Sequence, residues 1–315
     1  MPTTDPMEMN KLFGMALGLA SPWQIAELKF DPEETRLDIE IDFAPGSSFP
    51  CPECGESCKV HDANKQTWRH LNFFQHMAYL HARQPRTRCD KHGVKTTAVP
   101  WARPGANFTL LFEAMVLAMG RNGMTAKAIS RIVGEHDTLV WRILEHYVAE
   151  ARARDSHATV TAVGVDETAR EKGHVYVTLF VDRVAARVLT VAEGKDPKTV
   201  EQFRSDFIEH GGQPEKVTDF SLDRSAAFIK GIRESFPPVN RVAHTLKAHQ
   251  SGVLRWFASG INNGLLEGFN SLVQAAKARS RGFRSPKKMA TIIYLLLAKL
   301  DFKLPVAFPT AVHAR

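Results

Sequence analysis

The sequence has few cysteines, no long apolar run and no repetitive tract. Only 4 of its 315 residues are Cys, which excludes a disulfide-stapled secreted scaffold and fits a reducing compartment. No stretch reaches the roughly 18 uncharged apolar residues of a membrane span, so no membrane partner is expected. The opening MPTTDPMEMN lacks a basic segment leading into an apolar core, so no secretory leader is expected and the chain reads as cytoplasmic. Hydrophobic residues at 44% and charged residues at 24% exclude a disordered linker. Positive charge is in excess. The 41 Lys and Arg against 34 Asp and Glu give a formal charge of +7, which suits a polyanion partner.

The length allows two or three domains. Changes in hydrophobic period divide the chain into residues 1–48, 49–100, 105–155 and 160–305. The first holds a short helix with Leu12, Met15 and Leu19 at helical spacing, then WQIAELKFD and TRLDIEIDFAP, whose alternation around DPEE predicts an antiparallel pair. Residues 49–100 contain all four Cys. CPEC supplies Cys51 and Cys54, and CDKH supplies Cys89 and His92. Each pair leaves two residues between ligands, the spacing that aims two side chains at one ion. Together they predict a closed structural zinc site of three sulfurs and one nitrogen. Cys58 and His61 are spare candidates. The competing reading makes the cysteines small buried residues.

Residues 105–155 read as three helices with glycine-bearing turns, the pattern of a helix-turn-helix. Leu111, Met115 and Met119 mark the first; Ala128, Ile129 and Ile132 mark the second, which starts near Thr125. Asp137 is placed to cap the third, whose stripe is Val140, Ile143, Leu144 and Tyr147. Thr138 and Arg142 near its start are the DNA-reading candidates, and Trp141 is assigned to the helix core. A three-helix packing unit without DNA contact is the alternative.

After Ser156 the period becomes two. ATVTAVGVDE, HVYVTLFVD and RVLTVAEG form a strand meander, then come a helix over KTVEQFRSDFIEH, the strand KVTDFSLD and a helix with Phe228, Ile232 and Phe236 as its stripe. A fifth strand is visible only as the weak NRVAH. The fold class is therefore multi-domain α/β, with a mixed-sheet RNase H-like domain last. Asp166 and Asp223 are expected at strand ends, and Glu267 on a helix opened by Asn-Asn-Gly, one turn before Asn270. Acids so placed are costly unless paired or bound to a cation, and three converging acids can hold the two Mg²⁺ (or Mn²⁺) ions of an in-line phosphoryl transfer. Singly, each acid also reads as a cap or a surface charge. Asp219 and Glu167 are rivals, and Asp182 marks a turn. Past the Glu267 helix, KARSRGFRSPKK supplies Lys277, Arg279, Arg281 and Arg284, which read as a DNA-backbone contact or, equally, as a solvated face.

CPEC, CDKHGV, WRHL, FTLLFEAMV, VWRILEHY, GVDE, KGHVYVTLFVD, FSLDRSAAFIKGI and SGINNGLLEGFNSLVQAAKARSRGFRS together resemble the ISL-three-type insertion-sequence transposases. The resemblance covers most of the chain. It implies Asp166, Asp223 and Glu267 as a DDE triad, binding to terminal inverted repeats and target DNA as a homodimer, and a place on the bacterial nucleoid. The chain departs from that pattern in one stretch. FPPVNRVAHTLKAHQSGVLRW runs almost directly from the second acid to the Glu267 helix, where relatives are expected to carry an Asp-x-Phe-His-Val-type motif and a long helical insertion. His244 and His249 do not sit in such a motif. A DNA-binding protein without catalysis is the second reading, and a small RNase H-like nuclease the third.

Overall fold

The computed structural model describes residues 6–171, 175–194, 196–222, 226–236, 264–283 and 285–303. Asp223, Arg284, NRVAH and the shortened stretch before the Glu267 helix lie outside the described residues. The chain forms two compact units, divided between Met115 and Val116.

The first unit is built on helix α1 (Pro6–Ala16) and strands β1 (Trp23–Asp31), β2 (Arg36–Phe43), β3 (Ser48–Pro50), β4 (Ser57–Arg69), β5 (Met77–Cys89) and β6 (Gly93–Thr96). The strand order is β1-β2-β5-β4-β3, with β6 also on β5. β1 and β2 pair antiparallel, as the alternation predicts, but β2 then runs parallel to β5. The strand pair and the cysteine-bearing strands therefore share one sheet. Alternation along β2 buries Leu37, Ile39, Ile41 and Phe43. These pack with Trp23, Trp68 and Trp101, whose rings meet edge to face at 4.9 and 5.5 Å around Trp101. On α1, Leu12 and Met15 are exposed and Phe13 packs against this core, as do Leu17 and Leu19 just past the helix.

His70 gives this unit an acid sensitivity. Its Nδ1 bonds Thr109 Oγ1 at 2.8 Å, and burial, helped by the neighbouring Arg69 charge, lowers its pKa from 6.5 to about 4. Below pH 6.5 the unfolded chain takes a proton that the folded chain refuses. The stabilisation is thus complete above pH 6.5 and is lost as the pH falls toward 4. We expect the loss of about 3 kcal/mol across this window, and about half that slope or less for His70→Gln, read by urea unfolding at pH 7 and 4.5.

Helix α2 (Leu110–Arg121) crosses the division. It buries Phe112, Val116 and Leu117, while Leu111, Met115 and Met119 are half-buried. Helices α3 (Ala126–Val133) and α4 (Asp137–Ala153) open the second unit. Thr125 caps α3, and Gly134 ends it at φ 72° in the left-handed region that favours glycine. The buried residues of α3 are Ala126, Ile129 and Val133, so Ile132 points to solvent. The cap of α4 is His136, whose ring accepts from the Thr138 N–H; Asp137 is the first helical residue, where its charge favours the helix N-terminus. The α4 stripe of Val140, Ile143, Leu144 and Tyr147 is buried as expected.

The remaining elements are β7 (Ala162–Glu171), β8 (Val175–Asp182), β9 (Arg187–Glu193), α5 (Pro197–Glu209), a 3₁₀ turn (Pro214–Lys216), β10 (Asp219–Leu222), α6 (Ala226–Ser235), α7 (Gly264–Arg279) and α8 (Pro286–Leu297). The sheet order is β10-β7-β8-β9, antiparallel except for the parallel β10–β7 pair, so it is mixed as expected. One face packs Val163, Val165 and Phe180 against Phe203 and Phe207 of α5 and Phe228 and Ile232 of α6. Phe180 and Phe203 stack at 4.1 Å. Asp182 Oδ1 accepts from the Val184 and Ala185 N–H groups and so shapes the β8–β9 turn.

A charged network ties α4 to the sheet. Arg152 makes two bonds to Asp206 on α5, at 2.7 and 2.9 Å, and Arg187 makes two to Asp155, at 2.7 and 2.8 Å. His157, Asp206 and His210 lie close enough to hold a cation. Asp206 is already occupied by Arg152, and both His210 nitrogens face backbone carbonyls, of Asp206 at 2.7 Å and Arg152 at 3.0 Å. That arrangement fits a structural joint better than a metal site.

Candidate functional sites

The Cys/His cluster sits where β3–β4 and β5–β6 turn. Cys51 Sγ lies 3.7 Å and Cys89 Sγ 3.6 Å from His92 Nδ1, and Cys54 Sγ lies 3.7 Å from Cys89 Sγ. Ligands about 2.0–2.3 Å from a tetrahedral Zn²⁺ stand roughly 3.5–3.8 Å apart, so these spacings are edges of a zinc tetrahedron. Local backbone prepares the sulfurs. N–H groups of Cys54 and Glu53 point at Cys51 and hold its thiol below the ordinary range; those of Lys91 and His92 do the same at Cys89. At Cys54 the Glu56 N–H acts in that direction, but desolvation and the other two sulfurs outweigh it and push the thiol up to about 11. Three sulfurs this close can all ionise only with a cation between them. The outer nitrogen of His92, Nε2, lies 3.6 Å from Glu53, which is itself held by Lys95 at 2.6 Å, so a fixed carboxylate faces the ring from outside the cluster and favours one ring orientation. Cys58 is buried beside Cys51 and Cys89 but donates to the Glu56 carbonyl and stays outside the ligand cluster.

In the second unit, Asp166 and Glu267 line one cleft of about 430 Å³ with Asn270 and Gln274. Alternation along β7 turns Val163 and Val165 to the α5–α6 core and Gly164, Asp166 and Thr168 to α7. Asp166 lies in mid-strand, opposite Leu179, because β7 runs on to Glu171. It stands instead at the end of the shorter neighbour, since Leu222, the last residue of β10, pairs with Val165. Glu267 is exposed in the first turn of α7. Gln274 bonds Thr168 Oγ1, and Lys277 Nζ donates to the Ala169 carbonyl at 2.6 Å, so α7 is braced along β7. Lys277, expected on a phosphate, is engaged in that brace. Asn270 Oδ1 is buried and has no partner among the described residues. Two carboxylates and an orphaned amide oxygen form a hard, all-oxygen donor set, which fits a divalent cation of the Mg²⁺ type.

The close approach of α7 depends on Gly164. A Cβ there would stand 2.7 Å from a Leu266 methyl, next to Glu267. Gly164→Val is expected to push α7 and Glu267 away from Asp166 and to weaken divalent-cation binding at the cleft at least about tenfold, because a hard-cation site tolerates little displacement of its ligands; a Mn²⁺ titration of variant and intact chain reads the change.

Of the DNA-facing candidates, Thr138 and Arg142 are exposed near the start of α4, with Thr138 Oγ1 2.9 Å from His136 Nδ1. Arg279 and Arg281 are exposed at the end of α7, and Arg279 also donates to the Gly123 carbonyl at 3.0 Å. Trp141 is half-buried and lines a second, basic cleft instead of entering the core. The sequence marks Asn270 only as sharing a face with Glu267. Its burial, which gives it interest, has no signature in the sequence.

A mixed sheet with two acids on one cleft beside the end of its parallel strand pair, in a chain that also carries a Cys/His zinc cluster and three Gly-turned helices, has the plan of a multi-domain protein with an RNase H-like α/β domain. Comparison with known families agrees. The zinc-finger model of transposases IS204/IS1001/IS1096/IS1165 matches residues 47–92, the helix-turn-helix model of transposase family ISL3 matches 97–148, and the ISL3 DDE model, described as Transposase, matches 163–243 and 235–293. The chain is 28% identical over 244 residues, 73% of its length and 53% of the relative's, to the transposase for insertion sequence element IS1557 of Mycobacterium tuberculosis. It is 23% identical over 211 residues, 65% of its length and 51% of the relative's, to the transposase for insertion sequence element IS1001 of Bordetella parapertussis. The chain belongs to the ISL3 family of insertion-sequence transposases. It spans about half the length of the curated relatives it matches. Among the described residues, no helix is long and apolar enough to cross a membrane.

Proposed function

We propose that the chain is a DNA transposase that binds the terminal inverted repeats of an insertion sequence, cleaves there and transfers the freed 3′-hydroxyl to target DNA. The placement of Asp166 and Glu267 on one cleft beside the end of β10 carries this reading. Asp223 follows Leu222 directly in the sequence, and on this reading it is the third acid. Asp166, Asp223 and Glu267 bind Mg²⁺ or Mn²⁺, with Asn270 offering a neutral oxygen. The cation, when bound, lowers the cost of ionising the attacking water or hydroxyl and of charge on the leaving oxygen. The chain's own part is to fix those oxygens, through the β7 strand, the α7 brace and the Gly164 contact.

Residues 49–100 are a zinc ribbon in which Cys51, Cys54, Cys89 and His92 hold one Zn²⁺ for folding, since four protein ligands leave no open position. Residues 105–155 are the helix-turn-helix, presenting Thr138 and Arg142 on α4 to base edges, and residues 160–305 are the catalytic domain. Pairing two element ends calls for a homodimer on DNA, working in the cytoplasm on the nucleoid.

One observation favours a second reading, a chain that binds DNA without cutting it. The DDE match falls in two pieces that overlap at residues 235–243, as expected where an insertion carried by relatives is missing. Incubating the chain with duplexes bearing the element's end, with and without Mg²⁺ or Mn²⁺, separates the readings. The transposase reading expects divalent-dependent nicking at the tip, and specific binding without nicking in either metal would replace it with the second.

A further inference from the structure

The second cleft, about 630 Å³, lies between the start of α3, the first turn of α4 and the α7–α8 turn. Lys127, Arg131, Arg279, Arg281 and Lys288 line it, with one carboxylate, Asp137. Among the described residues, none of the five cations is paired with a carboxylate. Lys288 sits over the Trp141 ring at 4.9 Å, and Asp137 is engaged with His136 at 3.2 Å. Five unneutralised cations around one concave surface are electrostatically unfavourable without an anion, and they focus positive potential into the cleft. The site is also fixed in shape. Arg279 clamps the Gly123 carbonyl between α2 and α3, where Gly123 has φ +79° and a Cβ would stand 2.6 Å from the guanidinium. Thr125 caps α3, so that helix presents its N-terminus beside the same cations.

We propose that this cleft is a phosphodiester-binding site built jointly by the helix-turn-helix and by the end of the Glu267 helix. It rests on the transposase reading above and adds a register to it. The strand gripped in the cleft is the one delivered along α7 to Asp166 and Glu267 of the same chain. From Glu267 to Arg279 the helix rises about 18 Å, which is about five nucleotide steps at 3.4 Å each. The gripped phosphate therefore lies about five positions from the scissile one. The helix-turn-helix then measures the cutting position as well as recognising sequence, because its phosphate contact and the catalytic acid share one rigid helix.

Lys127 and Arg281 are both exposed, so Lys127→Ala/Arg281→Ala should fold as the intact chain does. The test measures its affinity for element-end duplex from 50 to 300 mM salt, beside the charge-matched surface control Lys198→Ala/Lys216→Ala. We expect about tenfold weaker binding at physiological salt and a salt slope smaller by about two, with the control unchanged. Duplexes with single methylphosphonates from the tip inward then locate the contact. The neutral linkage that abolishes the difference between variant and intact chain should fall four to six positions from the tip. Unchanged affinity and slope in the folded variant, or equal loss in the control, would overturn the site. A responsive linkage a full helical turn or more away would overturn the register. Failure of the transposase reading has a separate signature, since it shows as absence of nicking by the intact chain, whereas the cleft is read by binding.

Discussion

Asp166→Ala is expected to lower divalent-dependent nicking of element-end DNA by about a thousandfold, with DNA affinity changed less than about threefold. Removing one fixed electrostatic partner of a transition state costs about 10²–10³ in rate, and a cation ligand shared with Glu267 on the same cleft belongs at the upper end. The neighbouring carboxylate is the internal control. Strand alternation puts Glu167 on the other face of β7 from Asp166, so Glu167→Ala should cut within a few-fold of the intact chain. Equal losses in the two variants would mean that Asp166 acts through strand stability and not through the cleft. Glu267→Gln should match Asp166→Ala. It keeps the α7 geometry and removes only the charge.

Removing zinc is expected to unfold the ribbon. Structural Zn²⁺ in small modules contributes apparent binding free energies of about 10–16 kcal/mol at neutral pH, more than the cysteine-bearing turns can replace by packing. Cys51 and Cys89 are buried where β3 and β5 end, so losing the ion frees both turns at once. Cys89→Ser should therefore abolish the one bound zinc, measured by elemental analysis, and expose the strands to protease. Cys58→Ser should retain it, because that sulfur lies outside the cluster. Thiolates and a neutral His92 nitrogen must be available to the ion, so zinc should dissociate as the pH falls. A ribbon that stays folded in strong chelator contradicts the structural role.

Local patterns in the sequence were legible where one element buries one clean stripe. The α4 stripe, the alternation of β2 and the paired Cys/His spacing all lie within short windows, and the structure keeps them. Short helices leave their phase ambiguous. On the 8-residue α3, Val133 is buried and Ile132 is not, because two adjacent aliphatics do not reveal which one faces the core. The same ambiguity placed Leu12 and Met15 in contacts that Phe13 and Leu17 make. GVDE turns polar at Asp166, which predicts a strand end there. Pairing with β8 carries β7 through those polar residues, and the relevant edge belongs to β10. The basic cleft is assembled from segments about 150 residues apart in sequence, so no local window contains it. The parallel β2–β5 pair is invisible for the same reason.

On the proposed reading, three acids assemble into a cutting site despite the short passage from β10 to α7. A cleavage and strand-transfer assay on element-end DNA, with Mg²⁺ or Mn²⁺, compares the intact chain with Asp223→Ala. Divalent-dependent nicking and joining should vanish in Asp223→Ala while specific binding persists. Specific binding by the intact chain with no nicking in either metal would contradict that reading and make the shortened core a DNA-binding remnant.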